Sequence, residues 1–389
     1  GWTPLGWHNA LWQEAGAALS QPLSGAVSID PEDTQTAAMR LLTYGAVFWL
    51  SLHLCRDTQR ARALFWTLAL AGLAYAVYGL VIEFGRFGMI LWFERWAYRG
   101  SLTSTFVNRN SFAAYAGIAL IVVTALLLPD LRRSLRMGLF NRTGFVHFAE
   151  TAGFTLFFLL AAFVLIATAL LLSRSRGGLL VAAIGLVVLV TALGLARRRR
   201  GTTMVGYGLG FLVMGYVLIS LSGDATLARF ADLATAGSGR AEVHALAVRA
   251  VGEPPFLGSG LDPFPEVFQM LRDDSFGPLV QPYQRAHSTY LEFALEAGLP
   301  AFAAMVVLLA GLTAICLRGV LVRKRDTSYP AVGLAATALI AVHSAVDFSL
   351  QIPGVAVPYF ALLGAACAQS WPTSQRGARR HGERAGKPD

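Results

Sequence analysis

The chain has 389 residues, of which 55% are hydrophobic and only 14% are charged. This composition excludes an ordinary soluble globular protein and predicts a membrane protein. The formal net charge of +9 does not indicate nucleic-acid binding, because membrane topology accounts for most of the basic residues.

Apolar runs recur along the chain, and each is long enough to cross a bilayer core of about 30 Å. Nine spans are predicted, so the expected fold is an all-α, polytopic membrane helix bundle. The predicted spans are 36–54, 63–84, 111–128, 152–172, 179–196, 203–221, 290–317, 331–350 and 353–370.

Lysine and arginine cluster at every second connection between these spans and again after the last one. Because short cytoplasmic loops retain positive charge, these connections are predicted to be cytoplasmic. The resulting order is a periplasmic N-terminal segment (1–35), six spans (36–221), a periplasmic loop or lid (222–289), three spans (290–371) and a basic cytoplasmic tail (372–389). No crossing precedes residue 36, so further spans are expected upstream of residue 1.

The first polar stretch on the outer side is "YRGSLTSTFVNRNSFAAY", which begins at Tyr98 and leads into the third span. It brings Arg99 and Arg109 to the outer membrane surface. Asn110 and Ser111 are interpreted as caps of the helix that follows.

A second outer stretch, "LLSRSRGGLL", joins two spans with almost no room for a soluble loop. Arg174 and Arg176 are therefore held at the membrane surface, where an unpaired charge is costly and often functional. The alternative is that both side chains reach toward lipid headgroups.

The long outer loop contains a predicted short helix at 241–251, which "GEPPFLGSGLDPF" ends. Arg240 opens this helix, and a guanidinium at a helix N-terminus suits phosphate oxygens. An ordinary solvated arginine is the alternative. Asp262, Asp273 and Asp274 are interpreted as ordinary solvated loop residues, with acids or cation ligands as the alternative.

In "AHSTYLE", Thr289 and Glu292 have the spacing of a capping box, which places His287 just before the first turn of the seventh span. The positive end of that helix and the neighbouring Arg285 disfavour a protonated imidazole, so a neutral base is expected. A structural histidine is the alternative.

Two other sets of polar residues are interpreted without a catalytic role. His343 and Asp347 lie four residues apart in the eighth span and are expected to form a structural or gating pair. The three cysteines, Cys55, Cys316 and Cys367, indicate neither a disulfide framework nor a metal site.

Four stretches, in this order and separated by spans, resemble the bacterial O-antigen ligase and polymerase superfamily: "STFVNRNSFAAY", "LLSRSRGGLL", "GSGRAEVHALAVRAVGEPPFLGSGLDPF" and "AHSTYLEFALEAGLPAF". The resemblance covers the chain from about Arg40 to the last span. It implies an inner-membrane helical protein with one large periplasmic loop, which transfers a glycan from an undecaprenyl-diphosphate carrier to an acceptor hydroxyl. No nucleotide sugar, no cofactor and, for the ligases, no metal is implied.

On matching positions, the resemblance implies that His287 is the catalytic base and that Arg176 and Arg240 hold the diphosphate. Arg174, Arg99 and Arg109 are expected to be secondary contacts. The implied partners are the lipid-linked glycan, a lipid or glycan acceptor and membrane lipids. Ser288 stands where the family usually has Asn, so ligase and polymerase both stay open. A transporter of a lipid-linked glycan is the alternative from another class.

Overall fold

The computed structural model describes residues 4–136, 153–196, 238–251, 256–272 and 283–371, and all structural statements concern these residues. The α-helices in them are α1 (Leu11–Leu19), α2 (Pro31–Leu54), α3 (Thr58–Phe84), α4 (Arg109–Arg136), α5 (Gly153–Leu172), α6 (Arg176–Ala196), α7 (Ser238–Val251), α8 (Phe264–Leu271), α9 (Thr289–Val322), α10 (Ser328–Ser344) and α11 (Pro353–Ala368). Short 3-10 helices lie at Leu5–Trp7 and Ser349–Gln351. The predicted span at 203–221 and the predicted tail at 372–389 lie outside the described residues.

Helix starts follow the local sequence closely. Asp30 caps α2 by accepting hydrogen bonds from the backbone nitrogens of Glu32 and Asp33, both at 2.9 Å. At the start of α4 the cap is Asn108, whose side chain accepts from the backbone nitrogen of Asn110 at 2.7 Å. The prediction that Asn110 and Ser111 are the caps is therefore wrong, because both lie inside the first turn of α4.

By length and composition, five of the described helices can cross a membrane: α3, Arg109–Arg132 of α4, Phe154–Leu172 of α5, α6 and α9. The chain is thus a mostly helical protein with several membrane helices. The prediction of nine spans is not confirmed. Three predicted spans correspond to helices that are not among these five. Helix α2 begins with acidic residues, and α10 and α11 are apolar but have only 17 and 16 residues.

The bundle is built around α4, whose most apolar stretch is 89% buried. Helices α3, α5, α6, α10 and α11 all contact α4. Small residues permit close approach of the backbones, because Gly72 of α3 lies against Ala119 and Gly178 of α6 lies against Ala113.

The described parts of the predicted outer loop form α7 and α8, which pack on the segment leading into α9. Val243, Leu246, Phe264 and Phe268 form a small apolar core with Ala286. The predicted helix at 241–251 is confirmed, since α7 covers it.

Two ends of the bundle can be distinguished by their residues. At the end that we call the basic end, Gln369 after α11 donates a hydrogen bond to the backbone oxygen of Cys55 at 2.7 Å and accepts one from Arg323 at 3.2 Å. The opposite end, which we call the site end, holds the end of α3, the end of α5 and the starts of α4, α6 and α9. Here the backbone nitrogen of Leu102 donates to the oxygen of Leu172 at 2.9 Å.

Between α3 and α4, at the site end, the chain forms a two-stranded antiparallel hairpin. Strand β1 (Met89–Ile90) pairs with β2 (Phe93–Glu94), with Met89 opposite Glu94 and Ile90 opposite Phe93. The sequence did not predict this hairpin, because strands of two residues show no alternating pattern.

Candidate functional site

Four chain segments meet at the site end in a hydrogen-bonded cluster that we call the polar junction: Asn110, Ser175, Thr289 and Asp347. The Asn110 amide donates to Asp347 Oδ2 at 2.7 Å and accepts from Ser175 Oγ at 2.8 Å. Thr289 Oγ1 donates to the backbone oxygen of Asp347 at 3.0 Å. The junction therefore fixes the starts of α4, α6 and α9 relative to one another.

Asp347 is the acid of this junction, and only 1% of its surface is exposed. Besides Asn110, its carboxylate accepts hydrogen bonds from the backbone nitrogen of Phe348 at 2.8 Å and from Ser349 Oγ at 3.1 Å. These bonds offset the cost of burying the charge. His343, the predicted partner of Asp347, is also buried. The backbone nitrogen of Asp347 donates to the backbone oxygen of His343 at 2.9 Å, while the hydrogen bonds of the Asp347 carboxylate go to Asn110, Phe348 and Ser349.

The junction brings three of the predicted site residues to the same end of the bundle. Arg109 precedes Asn110, Arg176 follows Ser175, and His287 lies two residues before Thr289. The Arg109 guanidinium stands 5.5 Å from the centroid of the Tyr98 ring. The His287 ring lies between Tyr283 and Phe348, with centroid distances of 6.2 and 5.4 Å. His287, Arg109 and Arg176 thus each lie within two residues of a member of the polar junction.

The other predicted site residues, Arg174, Arg99 and Arg240, have different surroundings. Arg174 is exposed in the turn before α6. Arg99 lies in the segment between the hairpin and α4, where its largely exposed side chain is 3.5 Å from Glu94. Arg240 is in the first turn of α7, as predicted, but its side chain lies outside what the structure describes. The geometry therefore groups Arg109, Arg176 and His287, and leaves Arg99 beside the hairpin.

His287 has a left-handed backbone, with φ of 54°. This conformation is uncommon for a residue other than glycine and needs support from its surroundings. Glu292, which is fully buried, supplies that support. Its two carboxylate oxygens accept from the backbone nitrogen of Ala286 at 2.8 Å and from Arg285 Nη1 at 3.0 Å.

This arrangement corrects the predicted capping box. The N-cap of α9 is Ser288, whose side chain accepts from the backbone nitrogen of Leu291. Glu292 lies one residue too far along the helix to be the reciprocal partner of this cap. It reaches back instead to the residue before His287.

Arg285 connects Glu292 to the long outer loop. The guanidinium also pairs with Asp262, which in turn pairs with Arg40 of α2. Burial opposes the charge on Arg285, but attraction by Glu292 and hydrogen bonding with Asp262 outweigh it, so the pKa of Arg285 lies above its ordinary value. The interpretation of Asp262 as a solvated loop residue is wrong; Asp273 and Asp274 lie outside the described residues.

Glu296 completes a group of three carboxylates, with Asp262 and Glu292, whose oxygens lie within 4.8 Å of one another. Such a group has the chemistry to hold a cation. However, the carboxylates of Asp262 and Glu292 already accept from two arginines and a backbone nitrogen. The donor set therefore favours a structural network over a metal centre. We call Arg40, Asp262, Arg285 and Glu292 the arginine–carboxylate network.

Backbone bonds lock this network to the bundle. The loop before Asp262 bonds to α9 through the nitrogen of Gly260 and the oxygen of Glu296 at 3.0 Å. Gly258 has φ of +70° and packs directly on the backbone of Glu296, so a side chain has no room there. Just beyond, Gly298 has a non-helical backbone and Pro300 follows it, which together kink α9.

Sequence reasoning missed the roles of Asn110, Asp347, Asp262 and Glu292. Asn110, Asp347 and Asp262 act through partners from distant segments, which a local pattern does not reveal. Glu292 acts on Ala286 and Arg285, six and seven residues before it, which differs from the spacing of a capping box. The one available signal was the density of charge in "QRAHSTYLEFALE", where two acids follow an arginine just before an apolar run. Acids at that position are costly in a membrane helix unless they are paired.

A family model described as "O-Antigen ligase" matches residues 161–306 of this chain. The matched region runs from within α5 to within α9 and contains Arg174, Arg176, Arg240 and His287. No curated protein matches the chain. The family match confirms the resemblance to the O-antigen ligase and polymerase superfamily.

Proposed function

We propose that this membrane protein, similar to O-antigen ligases over residues 161–306, is a glycosyltransferase. It moves a glycan from an undecaprenyl-diphosphate carrier to an acceptor hydroxyl at the periplasmic face of the bacterial inner membrane. One observation carries the proposal: the polar junction gathers His287, Arg176 and Arg109 at one end of the bundle, and the first two lie inside the matched region.

In the proposed reaction, His287 accepts the proton of the acceptor hydroxyl as the acceptor oxygen attacks the anomeric carbon of the donor sugar. The bond from that carbon to the diphosphate oxygen breaks, and undecaprenyl diphosphate leaves with the bonding electron pair. A single displacement of this kind inverts the anomeric configuration. General-base help of this type is worth about 10²–10⁴-fold in rate.

Positive charge at the leaving group is the second requirement of the reaction. Arg176 and Arg240 are proposed to stabilise the departing diphosphate, because a guanidinium can bind two phosphate oxygens at once. Arg174, Arg99 and Arg109 are proposed as secondary contacts of the donor. No metal is needed in this mechanism, since the arginines supply the charge that a cation otherwise provides.

The surroundings of His287 support its role as a fixed base. The imidazole is attached to a left-handed backbone that Glu292 holds through Ala286 and Arg285. A base that is already in position avoids the entropic cost of orientation in the transition state. Ligase and polymerase differ only in the acceptor, so a polymerase of the same superfamily remains the alternative within this chemistry.

The test uses purified full-length protein in detergent. Each reaction contains the lipid-linked oligosaccharide as donor and one candidate acceptor, and the products are identified by mass. We expect transfer without a membrane gradient and without loss of activity in a chelator. A lipid-A-core product supports a ligase, and an extended lipid-linked chain supports a polymerase. Activity that disappears on chelation contradicts the metal-free mechanism. Movement of the donor across sealed vesicles with no transfer indicates a transporter.

A further inference from the structure

The hairpin between α3 and α4 exposes an unusual amount of aromatic surface. Trp92, Phe93 and Trp96 are 73%, 65% and 78% exposed. A cluster of this kind is unfavourable in water, whereas Trp in particular accumulates where a bilayer meets water. The hairpin therefore has the composition of an element that lies in the membrane interface.

The hairpin is held rigidly on the bundle. The backbone nitrogen of Leu91, at its tip, donates to the Tyr78 hydroxyl at 2.6 Å. Arg95 extends the pairing, with its backbone nitrogen donating to the Gly88 oxygen at 2.8 Å. The Arg95 side chain pairs with Glu83 at 3.2 Å and donates to the backbone oxygen of Tyr98 at 2.7 Å. The aromatic side chains are thus displayed from a fixed position.

A cavity of about 450 Å³ lies between the base of the hairpin and the end of α3. Its charged lining consists of Arg86, Arg95, Arg99, Glu83 and Glu94. Phe87, which is 54% exposed, also lines the cavity, and Glu94 of β2 brings the hairpin that carries Trp92 and Phe93 up to it. The volume is ample for the phosphate and part of the headgroup of a phospholipid.

The charges in the cavity do not cancel. Arg95 pairs with Glu83, and Arg99 lies 3.5 Å from Glu94. Arg86 is exposed, and among the described residues no ion pair involves it. Three arginines against two glutamates leave one positive charge, which matches the single negative charge of a phosphodiester.

We propose that the hairpin and this cavity form a binding site for an anionic phospholipid of the bilayer. The phosphodiester lies in the cavity beside Arg86, and the acyl chains run along the aromatic surface of Trp92, Phe93 and Trp96. This assignment concerns a lipid that is not consumed, and it holds whether or not the protein transfers glycans. Binding also bears on the candidate site, because Arg95 holds Tyr98 and Tyr98 contacts Arg109.

The first test titrates full-length protein in detergent with phosphatidylglycerol, phosphatidylcholine or inorganic phosphate, and counts bound molecules by native mass spectrometry. We expect tighter binding of phosphatidylglycerol than of phosphatidylcholine. One arginine near an anionic headgroup contributes about fivefold to its binding affinity. Arg86→Gln should therefore weaken the binding of phosphatidylglycerol by about that factor and leave the binding of phosphatidylcholine unchanged. Arg60→Gln is the matched control, because Arg60 is an exposed arginine near the start of α3, whereas Arg86 lies just after its end.

A second variant, Trp92→Ser with Trp96→Ser, keeps every charge but removes aromatic surface, so it should weaken the binding of both lipids. Thermal unfolding of each variant shows whether it is folded, and the exposed positions make normal unfolding the expected result. Equal affinity for the two lipids, or an unchanged phosphatidylglycerol affinity in Arg86→Gln, overturns the proposal. Binding of inorganic phosphate as tight as that of phosphatidylglycerol also overturns it, because the cavity is then a phosphate site and the aromatic surface contributes nothing.

Discussion

At the scale of single residues, the candidate site depends on a histidine in a conformation that it does not prefer. A left-handed backbone at a residue other than glycine costs about 1–3 kcal/mol unless the surroundings compensate. Here the compensation comes from Glu292, through Ala286 and Arg285 on the preceding two residues. These hydrogen bonds fix the backbone next to His287, as the proposed role of a positioned base requires.

The arginines allow a prediction at the same scale. Arg176→Ala and Arg240→Ala should each weaken donor binding and lower turnover by about 10²–10³-fold, because each removes charge stabilisation of the leaving diphosphate. Lysine at either position should restore only part of the activity, since it lacks the two-pronged geometry of arginine. Donor affinity and initial rates measured side by side check both statements.

Arg60→Ala is the control for this pair, because it removes the same charge at the basic end of the bundle. It should leave turnover per folded molecule unchanged. If Arg176→Ala behaves like Arg60→Ala, then Arg176 is a surface arginine that reaches toward headgroups and has no part in binding the donor.

Single residues also show the limits of sequence reasoning. Arg176 and His287 could be selected as candidates because each stands at the threshold of an apolar helix, where a polar side chain is conspicuous. Asp262 and Asp347 could not be interpreted correctly, because their partners Arg285 and Asn110 lie 23 and 237 residues away. A local pattern contains no information about such pairs.

At the scale of elements, the first turns of α9 carry two glutamates with different surroundings. Glu292 Oε1 and Oε2 both have hydrogen-bond donors, whereas Glu296 Oε1 has no hydrogen-bond partner among the described residues. Two arginines face three carboxylates in this group. Neutralising Glu292 therefore removes its ion pair with Arg285, whereas Glu296 takes part in no ion pair among the described residues.

This contrast gives a matched pair of variants. Glu292→Gln should destabilise the protein by about 1.5–3 kcal/mol, the usual value of hydrogen bonds to a charged group. It should also lower turnover, because displacing a catalytic group by about 1 Å can cost 10²-fold. Glu296→Gln, the same change one helical turn later, should unfold at the parent temperature or above it and keep its activity. Thermal unfolding and transfer rates of the two variants test the network, and equal effects on both would remove Glu292 from its positioning role.

The elements themselves were predictable to different degrees. The span predicted at 63–84 corresponds to α3, and that at 179–196 to α6, because long apolar runs have few alternatives to a helix. The predicted span at 290–317 missed the kink at Gly298, and the span at 331–350 ends early at Ser344 before a 3-10 turn. An apolar composition shows that a segment avoids water, but it does not show whether the segment contacts lipid or the interior of the protein.

At the scale of the whole molecule, the described basic connections and the candidate site occupy opposite ends of the bundle. Arg56 and Arg323 lie at the end where Gln369 joins α2, α9 and α11, and His287 lies at the other end. Since short cytoplasmic loops retain positive charge, the site end is expected to face the periplasm. The periplasmic orientation of the site end is therefore a prediction that combines the charge pattern with the geometry.

A topology measurement checks this arrangement. A reporter that is active only outside the cytoplasm should work when it is inserted within 222–289 and should be silent when it is inserted directly after Arg200. A cytoplasmic reporter at the same two positions provides the control and should give the reverse pattern. Activity of the first reporter after Arg200, with silence within 222–289, would invert the orientation and place the arginines on the wrong side for a periplasmic donor.

The central claim is that His287 acts in glycan transfer, and His287→Ala tests it most directly. The substitution removes the imidazole but leaves every arginine in place, so binding of the lipid-linked donor should survive. Turnover with saturating donor and acceptor should fall by about 10²-fold or more. Donor affinity, thermal unfolding and transfer rate are measured on the same preparation. A folded His287→Ala protein that binds donor and transfers glycan at the parent rate would contradict the account, and His287 would then be a structural residue at the start of a helix.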